Sequence, residues 1–320
     1  IGFAIGASFA GELGITGTSG PGVCLKSEAL GLAVMAELPL VLIDVQRSGP
    51  STGMPTKVEQ SDLLQVMYGR NGESPVCVLA AKTPADCFMM AFEAVRIALQ
   101  HMVPVVILSD NNVANGSEPW RLPDLSTLPK ITITHPTAGK EKFLPYSRDP
   151  KTLARPWAVP GTPGLEHRIG GLGKADLTGA VSYDAENNQK MINLRAEKVQ
   201  RVANYIPDLE VRGPQKGKLL VLTWGSPYGA AYEAVSRLEG EGITVSHANV
   251  NYLNPFPKNT GDVLKNFDQV FIPELNMGQL LTLVRRNFPD VRTSFFHKVQ
   301  GQPFKVTEID DKIKEVLKQI

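Results

Sequence analysis

Cysteine and histidine are scarce in this sequence, at three and five of 320 residues. Cys24, Cys77 and Cys87 are scattered through apolar settings with no paired spacing, which excludes a zinc site, an iron-sulfur cluster or a disulfide framework built on them. None of His101, His135, His167, His247 and His297 stands near a serine or cysteine in a nucleophile motif, so a hydrolase triad is not expected. An excess of either charge is also missing. With 33 basic and 32 acidic residues, the chain lacks the electrostatic footprint of a nucleic-acid or membrane-surface binder. Long apolar runs are absent too: segments such as Val103 to Leu108 are far too short to span a bilayer. No signal peptide precedes them, and the expected setting is the reduced cytoplasm.

What is present is a large apolar content, 42% of residues, enough to bury an extensive core in about two domains. The chain opens at Ile1 inside a small-residue, helix-like pattern without methionine, cap or polar lead-in, and is read as N-terminally truncated. From Leu13 to Asp110, short apolar strands alternate with helices. Strands are expected at Leu13 to Thr18, Pro39 to Gln46, Pro75 to Ala80 and Val103 to Ser109. Helices are expected at Val23 to Ala36, at Asp62 to Tyr68, and from Thr83 (cap) and Pro84 (first helical position) to His101. Such alternation implies right-handed crossovers and a parallel sheet. Residues 111–212, rich in proline and glycine with one helix near Glu186 to Tyr205, read as an arm wrapping a neighbouring domain or subunit. The alternation resumes with strands at Leu219 to Trp224, Ile243 to Val250, Gln269 to Ile272 and Arg292 to His297. Their helices start at Ser226-Pro227, Thr260, Asn276 and Thr307, with Asn276 and Thr307 as caps. The fold class is therefore α/β, divided as 1–122, 123–212 and 213–320.

Arg47 is the leading candidate for chemistry. The run Pro39 to Val45 reads as a strand buried on both faces, and ligands of such sheets bind beyond the carboxyl ends of the strands. Arg47 stands at that edge and offers a planar fork to a carboxylate or phosphate; an ion pair with a nearby acid is the alternative. Thr56, Lys57, Gln60 and Asp62 follow and can line the same crevice, although Asp62 at a helix start is explained by the helix dipole. Gly17 to Gly22 joins a strand to a helix, so its N–H groups and the Ser19 hydroxyl can cradle a polar ligand, or simply form a turn. It lacks the lysine of a P-loop and the spacing of a dinucleotide fold. His101 reads as a cation at the negative end of its helix, and Gly164 to Gly171 around His167 as a contact arm or gate. Glu274 can reach a neighbouring subunit.

Taken together, Thr18 to Gly22, Val45 to Lys57, Gly164 to Gly171, Asn254 to Pro257 and Pro273 to Leu280 resemble the alpha subunit of 2-oxoacid:ferredoxin oxidoreductases, most closely the 2-oxoglutarate members. The resemblance covers essentially the whole chain. It implies an incomplete thiamine-pyrimidine-binding domain, the connector, and a second domain like the C-terminal one of transketolase. It also implies oxidative decarboxylation of a 2-oxoacid on thiamine diphosphate, with electrons passing to ferredoxin and an acyl-CoA released. A beta subunit is expected to hold or share the diphosphate-magnesium site and to carry the iron-sulfur cluster, within a homo- or hetero-oligomer. By the same resemblance Arg47 holds the 2-oxoacid carboxylate, and Thr56 faces the substrate. Lys57, Thr18 and Ser19 are further substrate contacts, and Gly20 and Gly22 cofactor contacts. The glutamate that activates the aminopyrimidine is expected upstream of Ile1, so no catalytic residue is assigned here and the fragment alone is expected to be inactive. The alternatives are the beta half of a lipoamide-linked 2-oxoacid dehydrogenase and a non-catalytic assembly module.

Overall fold

The computed structural model describes residues 1–320. Its first sheet contains β1 (Gly14–Thr18), β2 (Leu40–Gln46), β3 (Cys77–Ala80) and β4 (Pro104–Asp110), all parallel, in the order β1-β2-β4-β3. They alternate with α1 (Gly2–Phe9), α2 (Gly20–Ala36), α3 (Leu63–Tyr68) and α4 (Asp86–His101); a short α5 (Asn111–Ala114) follows β4. Every residue of β4 is buried, as expected of a central parallel strand covered on both faces.

The arm contains α6 (Ala185–Arg201) and leads through β5 (Val211–Arg212) to a second sheet. That sheet is built from β6 (Gly217–Thr223), β7 (Ser246–Asn249), β9 (Phe267–Glu274) and β10 (Thr293–His297), in the order β10-β9-β6-β7-β5 with β5 antiparallel at the edge. Its helices are α7 (Pro227–Gly240), α8 (Thr260–Lys265), α9 (Gln279–Asn287) and α10 (Val306–Leu317).

One strand crosses over. β8 (Tyr252–Asn254), from the second half of the chain, pairs antiparallel with β3 and completes the first sheet as its fifth strand. The core is continuous as well. Along β2, Leu40 and Leu42 face a cluster of 31 buried residues that also holds Leu220, Leu222 and Ile272 of the second sheet and Trp224, which follows β6. Val41 and the half-buried Ile43 face the opposite way, toward α4. Period-two alternation thus assigns one face of each sheet to a shared interior.

The arm packs on the C-terminal end of α2. Glu37 closes that helix in the left-handed region (φ 51°), and its buried carboxylate meets Arg148 at 2.5 Å and Lys198. Arg155 donates to the carbonyls of Ala36 and Glu37, and Lys174 to that of Met35. Four cations from the arm therefore satisfy the orphan carbonyls and the negative end of one helix dipole.

Several element starts differ from the sequence reading. The helix expected to begin at Pro84 begins at Asp86, although the Thr83 hydroxyl still accepts from the Asp86 N–H. Thr307 lies inside α10; the Glu308 carboxylate folds back on the Lys305 N–H instead. Asn276 precedes α9 by three residues, accepting from the N–H groups of Gly278 and Gln279 to shape the turn. The short β5 and β8 carry too few residues to show a period. Cys24 is exposed rather than set in apolar surroundings.

Candidate functional site

The loop after β2 meets the segments that follow β6 and β9, where Gln60 bonds Trp224 O and the Leu275 N–H. The loop's conformation is held by backbone bonds: Met54 N–H donates to Ser48 O, Lys57 N–H to Met54 O, and Ser48 N–H to Lys57 O, each at 3.0 or 3.1 Å. Gly53 has φ 55°, and a Cβ there would lie 1.9 Å from Ser48 O, so only glycine closes this loop without strain. Thr56 is exposed and also left-handed (φ 64°). Lys57 is exposed, with its stem against Gly301 of the second half.

Arg47 is half-buried at the end of β2 and makes no ion pair. Its Nε is buried without a hydrogen-bond partner. A half-buried guanidinium with an unused donor has the chemistry to accept an anion. The alternative of an internal ion pair is not realised.

The neighbouring acids are turned elsewhere. The Asp62 carboxyl makes no cap bond to α3, contrary to the dipole reading. It lies instead at the start of α2, where its oxygens are 2.6 and 2.7 Å from the position a Gly20 Cβ would take. It contacts Asp44, which is wholly buried on β2. Burial, then the neighbouring Asp62, raises the Asp44 carboxyl well above its usual range; burial raises Asp62 as well. Two buried carboxyls in contact hold a proton between them rather than two charges. The pair therefore leaves Arg47 without a full counter-charge.

The glycine turn is filled from within the chain. Gly20 accommodates Asp62, and a Gly22 Cβ would collide with Thr18 Oγ1. Thr18 Oγ1 accepts from Lys26 Nζ at 3.2 Å, and Ser19, at the head of α2, makes no side-chain cap bond.

Gln60, expected to line the crevice beside Arg47, and Glu274, read as able to reach a neighbouring subunit, are both buried. Gln60 is fully buried, bonded to Trp224 O and to the Leu275 N–H. Glu274 does not reach outward: its buried carboxylate accepts from Trp224 Nε1, Asn276 Nδ2 and the N–H groups of Leu280 and Leu281. His101 is buried in contact with the Tyr205 ring, and burial pulls it down to about 4, so it is neutral and adds no cation to its helix end. Asp44 was missed because an acid late in an apolar strand reads as an exposed edge; its signal was its place within the run Leu40 to Gln46.

The fold defines the class as two parallel-sheet α/β units in series. Residues 1–185 match the family of pyruvate flavodoxin/ferredoxin oxidoreductase thiamine-diphosphate-binding domains, and residues 217–309 match pyruvate:ferredoxin oxidoreductase core domain II. The 2-oxoglutarate oxidoreductase subunit KorA of Mycobacterium tuberculosis is 54% identical over 98% of the chain, which spans 48% of that protein. The 2-oxoglutarate synthase subunit KorA of Archaeoglobus fulgidus is 33% identical over 88% of the chain and 73% of its own length. A solved 2-oxoglutarate:ferredoxin oxidoreductase from Magnetococcus marinus, with 2-oxoglutarate, coenzyme A and succinyl-CoA bound, superposes with a TM-score of 0.89. It is 34% identical over 98% of the chain and 55% of that structure's chain. A split-gene transketolase at 12% identity and TM-score 0.52 shares the fold alone. The chain belongs to the 2-oxoacid:ferredoxin oxidoreductase family, as a KorA-type alpha subunit sequence. It covers about half the length of its Mycobacterium relative.

Proposed function

We propose that these residues form the pyrimidine-side and transketolase-C-terminal-like parts of an enzyme that oxidatively decarboxylates a 2-oxoacid, 2-oxoglutarate, to its acyl-CoA with ferredoxin as electron acceptor. The names of its relatives support the substrate, and their ferredoxin chemistry disfavours the lipoamide-linked alternative. Thiamine diphosphate, when bound, supplies the electron sink that makes loss of carbon dioxide feasible. No group of three or more His, Cys, Asp or Glu side chains able to hold a metal converges in this chain. Magnesium and the iron-sulfur cluster are assigned to a beta subunit, as the family resemblance implies. The cytoplasm is the proposed setting; no helix is long and apolar enough to cross a membrane.

The observation that carries the reading is the unpaired, half-buried Arg47 guanidinium at the sheet edge. It grips the 2-oxoacid carboxylate and orients the bond to be broken, while the exposed Thr56 and Lys57 border the same loop; Thr18 and Ser19 line the neighbouring turn. Gly20 and Gly22 act by letting strand and helix approach. Arg47→Ala in the full alpha chain assembled with its partner is expected to raise KM for the 2-oxoacid about a hundredfold and to leave thiamine diphosphate affinity nearly intact. Unchanged steady-state kinetics would refute the assignment.

A further inference from the structure

In an open parallel sheet the ligand crevice lies at the carboxyl ends of the strands where the chain order reverses. In the second sheet the chain runs from β6 to β7 on one side and then returns to β9 on the other, so that crevice lies between the ends of β6 and β9. It is filled by Gln60 of the first half. The Gln60 N–H donates to Leu275 O (3.0 Å), its carbonyl accepts from Asn276 Nδ2 (2.9 Å), its Oε1 accepts from the Leu275 N–H (2.9 Å), and its Nε2 donates to Trp224 O (2.7 Å). Every polar atom of a buried residue is satisfied across the junction. A Cβ at Gly225 would lie 2.9 Å from Gln60 Nε2, and its φ of 61° also demands glycine.

The strap continues to the substrate loop. Gln279 Nε2 donates to Ser61 O, and Gln279 Oε1 accepts from the Leu64 N–H. Ser61 Oγ donates to Arg47 O at 2.9 Å, and the Asp62 N–H to Gln46 Oε1 at 3.0 Å. Consecutive bonds thus run from β6 and β9, through Gln60 and Ser61, to the backbone of Arg47.

We propose that Gln60 is a positioning residue: it docks the substrate loop into the crevice between the ends of β6 and β9 and so fixes where the Arg47 guanidinium stands. The second α/β unit then serves as the backing plate of the substrate site instead of binding a ligand of its own. This rests on the assignment of Arg47 to the 2-oxoacid.

The test is a double-mutant cycle in the assembled enzyme. Gln60→Ala is expected to raise KM for the 2-oxoacid about tenfold, with a smaller change in kcat and no change in KM for coenzyme A. In the Arg47→Ala background the same substitution is expected to add nothing. Additive effects on KM, or a loss of kcat and stability without a KM shift, would overturn the proposal by making Gln60 merely structural. A normal KM for Arg47→Ala alone would instead remove the substrate assignment itself, so the two failures are separable. Should Gln60→Ala not assemble, Gln279→Ala cuts the strap at Ser61 O and Leu64 N–H and is read in the same cycle, with the same criteria.

Discussion

Glu37 and Lys198 form a buried ion pair between the end of α2 and the arm, with both side chains almost wholly removed from water. Burial alone works to raise the Glu37 carboxyl, but the charges of Lys198 and Arg148 outweigh it and hold it down at about 2. The folded value lies below the usual 4.5, so this group's stabilising contribution is present above pH 4.5 and is lost as pH falls through 2. Glu37→Ala leaves the buried Lys198 without a partner and Arg148 with Asp176 alone, and is expected to destabilise the protein by about 3–5 kcal/mol. Urea denaturation at neutral pH measures the loss, and the variant's stability should vary less between pH 4.5 and 2 than the parent's.

The two buried histidines set an acid limit of their own. Burial is the main cause that draws His101 down to about 4 and His247 to about 3, from the usual 6.5. Below pH 6.5 the unfolded chain gains protons that the folded chain refuses, so stability falls with pH until those folded values are reached. Each histidine contributes at most about 1.4 kcal/mol per pH unit in that window. His101→Phe, which keeps an aromatic ring against Tyr205, should flatten the slope between pH 6.5 and 4 in thermal melts.

Gly20 is where the Asp62 carboxyl finds room. Gly20→Ala drives a methyl into it and is expected to cost about 1–3 kcal/mol. In an Asp62→Ala background the same change should be nearly neutral, because the collision has gone. Four denaturation curves decide it, and equal costs in both backgrounds would mean that something else fills the space.

Gly53 closes the substrate loop in a left-handed conformation where a Cβ would collide with Ser48 O. Gly53→Ala is expected to strain the loop by about 1–3 kcal/mol while leaving the core untouched. The effect should fall on KM for the 2-oxoacid, with the thermal midpoint lowered by only a few degrees.

The strong signals in the sequence were the long ones. β2, β4 and α4 carry apolar runs or helical periods, and the structure places them within two residues of expectation. Arg47 was legible because it ends such a run. Gln60 was not: nothing local distinguishes a glutamine that lines a crevice from one that fills it, since the three residues it bonds lie more than 160 residues away. β8 was hidden for the same reason, because three residues have no period and their pairing partner is distant. The fate of Asp62 turned on Gly20, a contact between two segments whose sequences each suggested a simpler local role.

The borrowed strand also sets an order of events during synthesis. A nascent chain ordinarily folds its leading portion first, yet here β3 stays bare along one side until Asn254 has left the ribosome. For most of translation the leading sheet presents an open edge, the kind of surface that recruits foreign strands. That edge stays open while the residues between Asp110 and Asn254, most of them in the arm and the start of the second sheet, are added.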